Sequence, residues 1–107
     1  METFGKFLKK ERETKKMNQS DFGQAIGIIM TDISKIENGC KKFPFTSLNK
    51  LAEFLKKDID ELKTIYVADI IVDEVHKYKC SDKVFSVAEE QSKYLKAKNI
   101  KQGNFNF

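Results

Sequence analysis

The chain has one histidine, His76, which stands close to Asp73 and Glu74, while a second acidic group, Asp58, Asp60 and Glu61, lies upstream. A hydrolytic or metal centre needs several convergent ligands, or an acid and a base with a stabilising group, and a lone histidine offers few of these. His76 is therefore read as a surface or interface residue. The upstream acids suit a helix start: an acidic cap followed three residues later by Glu can satisfy two free backbone N–H groups. The two cysteines, Cys40 and Cys80, are far apart and lack metal-type spacing, so two independent thiols are expected. No enzyme activity, metal, cofactor or small-molecule substrate follows from these residues.

What the chain does offer is positive charge, unevenly placed. Net charge is +4, yet residues 1–57 hold twelve Lys/Arg against seven Asp/Glu, and residues 58–107 hold eight Lys against nine Asp/Glu. That split fits a polyanion-binding half joined to a nearly neutral, self-associating half. A solvated Lys-rich surface gives the same totals, so charge alone does not choose between them.

These cations must be carried by a modest fold. A chain of 107 residues suits one domain with an appended dimerisation segment. There is a single proline, Pro44, and no useful run of β-branched alternation, which predicts an all-α protein. No stretch approaches the ~20 apolar residues of a membrane span. The start, Met1 to Lys6, lacks the pattern of a signal peptide, so a cytoplasmic location is expected.

Six helices are predicted. The first runs from about Thr3 to Lys15, with Phe4, Phe7 and Leu8 inward and Lys6, Lys9, Lys10 and Arg12 largely around the other faces. Asn18 caps a second helix, Gln19 to Ile26, which stops at Gly27. A third spans Met30 to Glu37 and ends at Asn38-Gly39. A fourth covers Ser47 to Leu55 with Thr46 as its cap, and a fifth reaches from Asp58 to about Tyr78. A sixth starts at Ser81-Asp82 and ends near Lys98, leaving Asn99 to Phe107 as a frayed tail.

The informative stretch is Gln19 to Asn38. Two short helices that cross steeply need a small residue at the crossing and a tight turn between them. Gly23 and Gly27 supply these. Phe22, Ile26, Ile28, Ile33 and Ile36 then make one locking apolar face. Met30, Thr31, Asp32, Ser34 and Lys35 are left toward solvent or a groove.

Asn18-Gln19, this pair of helices, Ile33-Ser34-Lys35-Ile36-Glu37-Asn38-Gly39, Pro44 and Leu48-Asn49-Lys50-Leu51-Ala52 together resemble the helix-turn-helix of the Xre/Cro-like phage-repressor family, over about residues 4–63. The resemblance implies a five-helix phage-repressor-like DNA-binding domain whose third helix enters the major groove. Carried over position by position, base contact falls on Met30, Thr31 and Lys35. Lys35 suits the O6/N7 edge of guanine, Thr31 a base edge or thymine methyl, and Met30 shape or a methyl. Asp32 either accepts from a cytosine amine or faces solvent. Phosphate contact falls on Asn18, Gln19, Asn38, Lys41 and Lys42.

One position departs from the family pattern. Where a polar cap usually opens the third helix, this chain has Ile29, a poor N-cap. Either Ile29 packs inward and the cap shifts, or the apolar run Ile28-Ile29-Met30 serves something besides phosphate binding.

The last two helices carry more apolar residues than one small domain can cover; they either cap the N-terminal bundle or, the favoured reading, form an isologous homodimer seam at Ile71, Val75 and Tyr78. The stretch from Val87 to Gly103 is similar to accessory regulators found near restriction–modification genes. The expectation is thus a DNA-binding core, residues 1–57, and a dimerising extension, residues 58–107, acting on double-stranded DNA as a palindrome-reading transcriptional regulator. Two alternatives use the same fold: an antitoxin-like protein-interaction module, and an accessory domain for a DNA-modifying enzyme.

Overall fold

The computed structural model describes residues 2–102, and no strand occurs among them. The order is α1 (Phe4–Thr14), α2 (Gln19–Ile26), α3 (Met30–Glu37), a 3-10 turn (Phe45–Ser47), α4 (Leu48–Leu55), α5 (Ile59–Lys77) and α6 (Lys83–Gln102). None of these helices is long and apolar enough to cross a membrane. The chain forms two compact units, one through Ile70 and one from Ile71 onward.

Local chemistry sets most helix ends in the first unit. The Thr3 hydroxyl accepts from the Lys6 N–H at 3.2 Å, and Asn18 Oδ1 accepts from the Asp21 N–H at 2.7 Å. α2 stops where Gly27 takes φ 77°, a left-handed conformation that costs glycine little. α3 ends in a paired motif: the Cys40 N–H donates to the Lys35 carbonyl at 2.8 Å and the Gly39 N–H to Ile36 at 3.1 Å. Asp58 Oδ1 accepts from the Asp60 N–H at 3.1 Å and opens α5.

Two predicted ends are corrected. Thr46 does not cap α4, because Phe45–Ser47 already form a helical turn leading into it. α6 runs past Lys98 to Gln102, so Asn99–Gln102 belong to the helix and not to a frayed tail. No glycine or proline interrupts that stretch, so nothing breaks the backbone pattern before Gly103. Gly103, Phe105 and Phe107 lie outside the described residues.

The core of the first unit is one cluster built from every helix from α1 to α5. It holds Phe4, Leu8, Phe22, Ile26, Ile28, Ile33, Ile36, Phe43, Leu48, Leu51, Leu55, Leu62, Ile65 and Tyr66. Leu62, Ile65 and Tyr66 carry α5 into this core, so close packing continues beyond residue 57 as far as Ile70. Phe4 packs against Phe43 at 5.3 Å and meets Tyr66 edge-on at 5.4 Å. The Phe4 N–H, an orphan donor at the start of α1, is taken by Asp69 Oδ2 at 2.8 Å.

In the second unit the described side chains of α6 are exposed, with Val84 and Asn99 half-buried.

The buried Tyr66 hydroxyl donates to the Phe43 carbonyl at 2.6 Å and so holds the loop after α3 onto α5. Tyr66→Phe should destabilise the fold by about 1–3 kcal/mol, because a buried carbonyl is left unpaired. Burial also raises the Tyr66 pKa. The folded value therefore exceeds the unfolded one of about 10, and the neutral phenol's contribution is lost as pH rises through this range. Denaturant titrations at pH 7 and above 10 check both points: Tyr66→Phe should lose less stability than wild type on going to alkaline pH.

Candidate nucleic-acid interface

Gly23 sits where α2 packs directly against the backbone of the turn and the side chains of α3. A Cβ on Gly23 would fall inside the contact distance of the Ile28 carbonyl oxygen and 3.1 Å from Ile33 Cγ1. The expected locking residues, Phe22, Ile26, Ile28, Ile33 and Ile36, are all buried. A second close approach was not expected: a Cβ on Gly5 would run into the Ile36 carbonyl oxygen, so α1 touches the end of α3 through a glycine as well.

Beneath this crossing lies a polar network that the sequence reading missed. Glu37 is buried, its side chain only 1% exposed, and Arg12 is 12% exposed. Arg12 grips the carboxylate with two parallel bonds, Nε to Oε2 at 2.7 Å and Nη2 to Oε1 at 3.0 Å. Its third nitrogen, Nη1, donates to the Met17 carbonyl at 2.8 Å, and Gln19 Nε2 donates to Glu37 Oε1 at 3.1 Å. Hydrogen bonding to Glu37 raises the Arg12 pKa, against the opposing effect of burial. One carboxylate thus ties together α1, the α1–α2 loop, the first residue of α2 and the last residue of α3.

Arg12 was expected on an outward face and lies inward instead. The signal was present: Phe4, Leu8 and Arg12 are spaced i, i+4, i+8, and Ile33, Ile36 and Glu37 are spaced i, i+3, i+4. An acid and a cation each on a core-facing stripe are natural partners.

With the crossing held in this way, α3 turns its other side outward. Met30, Thr31 and Lys35 are exposed, and Asp32 and Ser34 half-buried. Asn38 caps the end of α3, and Lys42 is exposed in the following loop. Lys41 Nζ sits 2.9 Å from Asp32 Oδ2, so this first-turn acid of α3 faces a lysine, an arrangement neither reading of Asp32 anticipated. Asn18 uses its side-chain oxygen to cap α2, and Gln19 directs an amide N–H to Glu37.

Ile29 is the cap residue of α3, makes no side-chain capping bond and is 67% exposed. The option that it packs inward is therefore corrected, and the cap does not shift. Its extended backbone, φ −68° and ψ 151°, sends the side chain out where Ile28 has just turned in. A further cation, also missed, borders this end: Lys50 Nζ lies 3.3 Å from where a Gly27 Cβ would stand.

Steeply crossed short helices with a tight glycine turn and an exposed second helix define the helix-turn-helix class of DNA-binding domain. A family model described as a helix-turn-helix domain matches residues 5–66, and the chain belongs to that family. The match agrees with the extent of the Xre/Cro-like resemblance. No curated protein matches the chain. Among solved structures, the P22 c2 repressor protein in complex with synthetic operator 9T in the presence of Tl+ is similar with a TM-score of 0.52 and 22% identity, over 58% of this chain and 94% of that one. A SinR protein/SinI protein complex is similar with a TM-score of 0.49 and 20% identity, over 89% of this chain and 99% of that one. The likeness to the P22 c2 repressor protein shows the fold, and the family match covers residues 5–66.

Proposed function

We propose that the protein is a sequence-specific, double-stranded DNA-binding transcriptional regulator that occupies a palindromic operator as a homodimer. The observation that carries this reading is the outward side of α3, where Met30, Thr31 and Lys35 stand exposed on a helix anchored by a buried crossing. In the proposed complex α3 lies in the major groove. Met30, Thr31 and Lys35 meet base edges, while Asn18, Gln19, Asn38, Lys41 and Lys42 hold phosphates on either side. Lys50 joins the phosphate set. The protein acts by binding and not by catalysis, and a chromosomal ligand implies a cytoplasmic place of work.

Dimerisation is assigned to residues 58–107 and DNA contact to residues 1–57. Ile71 and Tyr78 are exposed and Val75 is half-buried, an apolar set available to an isologous partner. Two copies would present two α3 helices about one DNA turn apart, ~34 Å. Selection of bound sequences from random duplex DNA tests the reading in one step. A two-fold symmetric consensus is expected, and a pool without enrichment defeats it.

Lys35→Ala should weaken binding to the selected site by about 1–3 kcal/mol and relax preference at one base pair per half-site. Equal weakening on every sequence would reduce Lys35 to a phosphate contact. The exposed apolar pair Ile29–Met30 favours a second reading, an antitoxin-like protein-interaction module, which predicts weak and indifferent DNA binding.

A further inference from the structure

We propose that Ile29, together with Met30, reads the 5-methyl group of pyrimidines, so that each half-site carries thymine beneath the start of α3. This rests on the DNA reading above. Ile29 is 67% exposed and Met30 51% exposed, while the other aliphatic residues of this motif, Ile26, Ile28, Ile33 and Ile36, are buried. The exposure is therefore local to the first residues of α3.

It also runs against local stability. A Ser, Thr, Asn or Asp at the cap position would bond a free N–H of the first turn and stabilise the helix by about 1 kcal/mol. The chain has isoleucine there, and no side-chain capping bond forms.

The groove offers one feature that matches such a surface. In the major groove every base edge presents donors or acceptors except the thymine C5-methyl, which is apolar. Isoleucine and methionine set over a polar edge would strip its water without replacing the hydrogen bond, a cost that excludes other bases. Set over a methyl, they bury apolar surface on both sides. Lys50 stands beside the Gly27 turn that precedes this pair, and Lys35 on α3 and Lys41 and Lys42 in the loop after α3 are exposed. Asp32, the acid nearest to it on α3, has Lys41 at 2.9 Å. An exposed apolar pair on a motif that also carries exposed lysines complements methyl groups between two rows of phosphates.

The test uses the full chain and its selected duplex. Deoxyuridine in place of thymidine removes only the methyl and leaves the hydrogen-bonding edge unchanged. Each exchange beneath α3 should lower affinity about three- to tenfold, whereas exchanges outside the half-sites should do nothing. Ile29→Ser, which supplies a cap and so preserves the fold, should bind the thymine and uracil duplexes alike or nearly so. A selected site without thymine at these positions, or wild-type binding that ignores uracil exchange, overturns methyl reading and leaves the regulator reading standing. Loss of a protein partner on Ile29→Ser with DNA affinity unaltered also overturns it. Absence of any sequence-specific binding overturns both.

Discussion

Glu37→Ala should cost the helix-turn-helix unit about 3–5 kcal/mol, because it leaves the Arg12 guanidinium buried with no counter-charge. That is a large share of the ~5–15 kcal/mol that holds a typical domain together. For a unit of this size each kcal/mol moves the midpoint by about 4–8 °C, so a fall in Tm of roughly 12 °C or more is expected. The loss comes from desolvated charge and not from the pair's own strength. Replacing both partners by apolar residues, Arg12→Met with Glu37→Leu, should therefore return much of it. The double variant should still bind DNA less well, since Gln19 would lose the Glu37 oxygen that orients its amide at the start of α2. Thermal and denaturant unfolding of the two variants decide the matter. A Glu37→Ala protein within about 0.5 kcal/mol of wild type, the range of ordinary surface changes, would show that the network contributes little.

Affinity for the selected operator should fall about a thousandfold between 50 and 200 mM salt. Lys41, Lys42 and Lys50 supply about three cationic phosphate contacts per copy. A dimer then neutralises about six phosphates and releases the counterions bound to them. The charge of the first 57 residues, twelve Lys/Arg against seven Asp/Glu, makes this the dominant sequence-independent attraction. Lys42→Ala should lower the slope of log affinity against log salt by about one per copy without altering base preference. Binding isotherms at four or more salt concentrations measure both. A nearly flat dependence would remove DNA as the principal ligand and favour the protein-interaction reading.

The sequence by itself determined the helices, their order and the helix-turn-helix. Their causes are local: apolar spacing on one face, an Asn18 oxygen three residues from the N–H it accepts, and a glycine at position 27 that tolerates a left-handed stop cheaply. Gly23 was legible for the same reason, since a steep crossing demands a small residue wherever it falls. α6 reaches a few residues beyond the expected end near Lys98, because a polar composition does not end a helix where no glycine or proline breaks it.

Tertiary structure alone decided which charged residues face inward. Arg12 and Glu37 are 25 residues apart, and only the approach of α1 to α3 makes burying both affordable. The same holds for Lys41 and Asp32, for Tyr66 and the Phe43 carbonyl, and for Lys50 beside Gly27, whose partners lie on separate segments. Ile29 shows the limit most clearly. Its identity marked a poor cap, but whether it would turn into the core depended on Ile28 already filling that place, and the packing leaves Ile29 outside.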